Sequence, residues 1–293
     1  MSASPPSPSG WARELGRFLE IQTIGLNLPF GLAFLLAAAH GVPRWQTIAL
    51  VVVALLAARN TGHAFNRWTD RKLDALNPRT QDRALVTGRL SPGFALAVTV
   101  LSAAVLVVCA ALLNRLSLEL APLALVLVFG YSYTKRYTSF TTVFLGLVEA
   151  LVPAGVFIAV TGALPLVAVV AVFAILAWGT AFETIHSLGD LSTDQNLGLY
   201  SLPRRVGVRT SLGLVAALHA VALLLFGLFG ELEHYGPPFW VALAGMVGLV
   251  AYSDLTLSRY LDRVRVPFER HFVLALMFLA GVVVSLAVPG FRF

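Results

Sequence analysis

The polar positions of this chain are few and bunched. Between them run continuous apolar blocks of about 18 to 25 residues, the length that a hydrocarbon core roughly 30 Å thick requires of a helix. Nine blocks are read, at about residues 18 to 40, 46 to 65, 93 to 113, 118 to 134, 141 to 161, 165 to 187, 211 to 230, 237 to 257 and 271 to 290. The runs are continuous rather than alternating, and many consist of Ala and Leu, so strands fit poorly. The pattern predicts an all-α membrane protein with nine transmembrane helices.

Composition strengthens this reading, because 58% of the 293 residues are hydrophobic and only 12% are charged, far from an ordinary soluble domain. The Pro/Ser-rich start, MSASPPSPSG, reads as a disordered tail over residues 1–12, and no removed signal peptide is expected. Residues 13–293 read as a single transmembrane domain. The lone Cys109 lies inside an apolar run, which leaves no cysteine pair for a disulfide or a cysteine metal site.

Charge sets the expected orientation. Seventeen of the 21 Lys and Arg residues fall at the N-terminus or after the second, fourth, sixth and eighth blocks. Arg44, Arg115 and Arg292 fall on the other side, and Arg59 within a block. The asymmetry predicts a cytoplasmic N-terminus. It also accounts for most of the +6 net charge, which is therefore no sign of nucleic-acid binding. Trp45 and Trp240, near block ends, read as interfacial anchors.

The chemistry is concentrated in two places on the expected cytoplasmic side. NRWTDRKLD, residues 66 to 74, sets Asn66, Asp70 and Asp74 four apart, hence on one helical face if the helix continues. FETIHSLGDLSTDQNLGLYSLPRRVG repeats the spacing in Asp190 and Asp194, 120 residues later. Each pair is followed by arginines: Arg79, Arg83 and Arg89, then Arg204, Arg205 and Arg209. The echo suggests two related four-helix units, 46–161 and 165–290, after a first helix. Carboxylate oxygens suit Mg2+, which takes one or two of them and fills its other positions with water and phosphate oxygens. Nearby cations would grip the outer phosphate oxygens. A diphosphate held at a membrane surface with an apolar tail in the bundle describes an isoprenyl diphosphate.

These residues resemble the UbiA-type intramembrane prenyltransferases. Asn66, Asp70 and Asp74 match the family's NxxxDxxxD motif, Asp190 and Asp194 its DxxxD motif, and YSYTKRYT at 131 to 138 is similar too. The resemblance covers essentially the whole chain. It implies a UbiA-like bundle in which Asp70, Asp74, Asp190 and Asp194 hold Mg2+, with Asn66 orienting an aspartate or completing the site. Tyr131, Lys135, Arg71, Arg83 and Arg204 are candidates for the phosphates. Departure of the diphosphate would leave an allylic cation that an electron-rich ring attacks in a dry cavity. The motif surroundings look most like members acting on 4-hydroxybenzoate or related quinone precursors, although Gln195 stands where an arginine is common.

Other readings stay open at this stage. Haem or another aromatic acceptor keeps the diphosphate site and changes the cavity. A cation-coupled transporter would use the acids differently, although transporter sites usually sit near the midplane beside broken helices. A CDP-alcohol phosphotransferase would need a DGxxAR motif, which the chain lacks. Glu149, about eight residues into the fifth block, borders a cavity or bonds another helix. Glu183 and His186 precede Asp190 by seven and four residues and roughly share its face. Asn27 before Pro29 marks an opened turn or a packing position.

Overall fold

In the computed structural model, residues 8–21, 24–261 and 265–288 are described. Arg263, Arg292 and the first seven residues, all used in the sequence reading, lie outside them. The described residues form helices and connecting turns and no strand. The chain runs through α1 (Pro8–Phe18), α2 (Ile24–Ala38), α3 (Trp45–Asp74), α4 (Pro92–Leu113), α5 (Arg115–Tyr131), α6 (Thr141–Thr161) and α7 (Leu166–Gly189). It continues through the short α8 (Leu191–Asn196) and α9 (Leu202–Val206) to α10 (Val208–Leu232), α11 (Pro237–Thr256) and α12 (Arg265–Ala287).

Seven of these are long and apolar enough to cross a membrane: α3, α4, α6, α7, α10, α11 and α12. α2 and α5 occupy the first and fourth expected spans but run only 15 and 17 residues, below the roughly 20 that a span requires. Their limits have local causes. Glu20 takes a left-handed φ of 49° between α1 and α2, and His40, at φ 48°, follows α2. Asn114 is extended between α4 and α5, and its side chain accepts from the Ser117 N–H to cap α5, meeting a donor that the helix start leaves unpaired. α1 begins at Pro8, earlier than the domain boundary expected at residue 13; proline suits a first helical turn.

Each long helix packs on its predecessor, and α12 returns to α2, which also lies against α6. The closest approach joins α6 to α7. A Cβ on Gly146 would collide with Thr180 and lie 2.8 Å from the Leu176 carbonyl oxygen. Ala168, Ala171, Ala174 and Ala181 are fully buried along α7. Small residues let backbones meet, which is how helices associate where lipid is as apolar as the side chains. Away from this seam the space is filled by Phe34, Phe157, Phe226, Phe229, Phe239 and Phe278, all fully buried. The connections after α3, α5, α7 and α11 fall at one end of the bundle. Over it lies α1, whose Phe18 packs in a cluster with Leu85, Leu90 and Ala95.

Candidate active site

Both aspartate motifs lie at the end covered by α1. α3 runs through Asp74, past the end of the apolar block at residue 65, so Asn66, Asp70 and Asp74 do lie on one helix. Asn66 donates from Nδ2 to Asp70 Oδ2 at 2.9 Å, which orients that carboxylate. The other Asp70 oxygen accepts from Arg136 at 3.0 Å. Arg83 turns back from the α3–α4 connection and places Nη1 2.7 Å from both oxygens of Asp74.

The second motif is built differently. Asp190 caps α7, and Asp194 lies in α8 with its N–H donating to the Asp190 carbonyl at 2.9 Å. Arg79 grips Asp190 with both arms of its guanidinium, Nε to Oδ1 at 2.9 Å and Nη2 to Oδ2 at 2.6 Å. That fork ties the second motif to the first connection across 111 residues. Burial would raise the Asp190 carboxyl, but the bonds and charge of Arg79 outweigh it and hold it below the usual carboxylate range. Burial raises the Asp194 carboxyl above that range, with the charge of Lys135 only partly opposing it. Asp194 is 2% exposed and its Oδ2 is buried without a partner.

Lys135 sits in the 3-10 turn Thr134–Arg136 after α5. It forms no ion pair among the described residues, yet its charge reaches Asp70, Asp190 and Asp194. The other nominated residues divide. Tyr131 ends α5, so it does not share a helical face with Lys135; the chain turns between them. It nevertheless lies within electrostatic reach of Asp70 and Glu183. Arg71 bonds the Trp68 carbonyl at 2.6 Å and lies over the Trp68 ring, turned to its own helix instead of to the acids. Arg204 is exposed and donates to the Leu199 carbonyl.

Three groups at this end were not nominated from sequence. Arg79 and Arg136 stand beside motif residues, in NPRT and YTKRYT, and adjacency was the available signal. Glu20 gave no such signal. It pairs with Arg67 and lies 3.6 Å from His63 and 3.9 Å from Arg83. Arg59, one turn before His63, donates to the Leu19 and Glu20 carbonyls at 2.6 and 2.7 Å, meeting carbonyls that the end of α1 leaves unpaired.

Beneath the acids a small cavity of about 20 Å³, water-sized until side chains move for a substrate, is lined by Asn27, Phe30, Glu149, Val152, Ile175, Trp178, Phe182 and His271. No three His, Cys, Asp or Glu side chains form a ready metal shell among the described residues, since arginines hold three of the four aspartates. The donor chemistry still suits a hard divalent cation: carboxylate oxygens from two motifs, one of them buried and unpaired.

The chain matches the UbiA prenyltransferase family over residues 27–282. It is 28% identical over 289 residues to a 4-hydroxybenzoate octaprenyltransferase of Burkholderia vietnamiensis, covering 94% of this chain and 98% of that one. A protein of the same name from Xylella fastidiosa is 33% identical over 227 residues, 76% of this chain and 74% of that one. Among solved structures, the apo UbiA homolog from Aeropyrum pernix K1 superposes with a TM-score of 0.80 at 30% identity, covering 90% of this chain and 97% of that one. A UbiA homolog from Archaeoglobus fulgidus bound to GPP and Mg2+ shares the fold at a TM-score of 0.67 and 18% identity, over 94% of this chain and 100% of that one.

Proposed function

The chain belongs to the UbiA prenyltransferase family, and on that premise we propose that it transfers a polyprenyl group from an isoprenyl diphosphate to 4-hydroxybenzoate or a related aromatic quinone precursor, with Mg2+. The chain is an integral membrane protein and a prenyltransferase. The observation that carries the finer reading is the grouping of both aspartate motifs with Lys135, Arg79, Arg83 and Arg136 above an aromatic-lined cavity. Relatives named 4-hydroxybenzoate octaprenyltransferase support the acceptor, and the neighbour bound to GPP and Mg2+ supports the donor and metal.

In this reading Asp70, Asp74, Asp190 and Asp194 would hold Mg2+, which would neutralise charge on the diphosphate and make it a better leaving group, and Asn66 fixes the orientation of Asp70. Lys135, already near aspartates of both motifs, meets the phosphate oxygens. Arg79, Arg83 and Arg136 neutralise the carboxylates and turn to phosphate as it arrives. Tyr131 donates to a phosphate oxygen. The diphosphate departs with the electron pair of the allylic C–O bond, and Phe30, Trp178 and Phe182 exclude water from the resulting cation. In this reading α2 and α5, although shorter than a full span, cross the cytoplasmic membrane beside the seven long helices, with the N-terminus and the acidic end facing the cytoplasm.

The test uses purified protein in detergent with labelled geranyl diphosphate and a panel of 4-hydroxybenzoate, dihydroxynaphthoate, homogentisate and haem, followed by mass spectrometry of the lipid extract. A prenylated 4-hydroxybenzoate that disappears with EDTA is expected. Product from haem alone moves the acceptor elsewhere, and failure to bind geranyl diphosphate ends the donor assignment.

A further inference from the structure

Glu149 is an acid that the diphosphate site does not use and that lies inside the bundle. It stands eight residues after the start of α6, about 12 Å into the bundle from the acidic end. Its carboxyl lines the cavity among Asn27, Phe30, Trp178 and Phe182. Asp70, Asp74 and Asp190 each have an arginine, whereas Glu149 joins no ion pair among the described residues. A carboxyl at such depth is costly and marks function by default.

The fold makes room for it. The Glu149 carboxyl lies in the space that a Cβ at Gly179 would need, and that Cβ would also lie 3.1 Å from the Gly146 Cα. Two glycines on facing helices therefore let an acid lie flat against α7. One turn beyond Gly179 is Glu183, close enough for the two carboxyls to interact. Glu183 in turn lies 3.8 Å from Nδ1 of His186, one turn before Asp190. Tyr131 lies within electrostatic reach of both acids. Acidic and imidazole groups thus step from the cavity towards the diphosphate end.

Prenylation of an aromatic carbon leaves a surplus proton. When the ring attacks the allylic cation, the new C–C bond forms and the ring becomes a cation still carrying hydrogen at that carbon. The C–H electron pair must return to the ring, and the proton needs an acceptor inside a cavity that excludes water. We propose that Glu149 is that acceptor, ionised opposite the allylic cation when the donor bond breaks: a catalytic base that takes the ring proton. The inference rests on the aromatic acceptor of the proposed function.

The experiment compares 4-hydroxybenzoate with the same ring deuterated at both carbons beside the hydroxyl, using the full chain, Mg2+ and geranyl diphosphate. Wild type is expected to show no primary isotope effect, because the proton leaves quickly. Glu149→Gln, of nearly equal shape, is expected to lose on the order of 10²-fold in turnover, typical of general-base removal, and to acquire a normal primary isotope effect. Its geranyl diphosphate binding stays as in wild type. Glu149→Asp keeps a carboxyl one methylene shorter and restores part of the rate, which keeps the test decisive if the glutamine variant fails to fold. A Glu149→Gln enzyme that is undiminished, or slow without an isotope effect, overturns the assignment and leaves the proposed function standing. If wild type prenylates no aromatic acceptor, the proposed function falls and the base assignment falls with it.

Discussion

The first aspartate motif and the second have the same spacing, but the arginines that form ion pairs with both come from the first half of the chain. Asp70 and Asp74 lie on one unbroken helix and pair with Arg136 and Arg83. Asp190 and Asp194 straddle a helix break, and Asp190 is held by Arg79. Lys135 and Arg204 both act on Asp194, but Arg204 is exposed and bonded to a carbonyl of its own loop. Arg79, Arg83, Lys135 and Arg136 all precede α6. The repeated spacing suggests two equivalent units; the cations make one half the holder and the other the held. An ion site between such halves needs both to be docked, whereas two independent sites would not.

The strongest way to break this comparison is to remove one carboxylate from each motif. Asp70→Ala and Asp190→Ala are each expected to cost on the order of 10³-fold in turnover, the scale of losing electrostatic stabilisation at a developing charge. Both proteins should still insert and keep their helix content. EDTA should abolish the wild-type rate and excess Mg2+ should return it. If one motif tolerates the change, the motifs do not act on a shared ion site.

Lys135→Ala comes next. A charge-assisted bond contributes about 1.5–3 kcal/mol, so prenyl diphosphate affinity should fall by roughly 10- to 100-fold, read by titration of the donor at saturating metal. Unchanged affinity would return Lys135 to a topological role. Arg79→Lys sharpens the comparison at smaller scale. Lysine keeps the charge but not the two-armed grip, and a rate loss of about tenfold is expected, against about twofold or less for Arg204→Ala. Equal effects would mean that the second half does supply its own cation when substrate is present.

The helices and both motifs could be read from the chain because they depend on local pattern: apolar runs for the spans and a four-residue spacing for the acids. The ends of α2 and α5 could not, since they depend on backbone geometry at Glu20, His40 and Asn114, where apolar residues on either side read as one run. Arg83 was nominated and is found on Asp74. Arg79 and Arg136 do not stand out from their neighbours in sequence, because the basic residues of one connection look alike until the chain's turns are known. Tyr131 and Lys135, four residues apart, would share a face if the helix continued, but α5 ends at Tyr131 and the turn at Ser132 separates them. Glu20 lay beyond sequence reading altogether, because its partners Arg67 and Arg83 are 47 and 63 residues away and it belongs to no motif itself.

Arg71 offers the smallest effect and the finest test. It sits inside the first motif, between Asp70 and Lys72, yet one step along a helix turns a side chain by about 100°, and its guanidinium rests on Trp68 and the Trp68 carbonyl. A cation over a half-buried ring such as that of Trp68 is worth about 0.5–2 kcal/mol. Arg71→Ala should therefore lower thermal stability slightly and change KM for the prenyl diphosphate by less than about twofold, because the bond it loses is to its own helix. Arg71→Lys should behave the same way. A tenfold rise in KM for either variant would mean that Arg71 leaves Trp68 for the phosphates when substrate binds. The first motif would then supply a phosphate ligand of its own, and the contrast between holder and held would be larger than the resting arrangement displays.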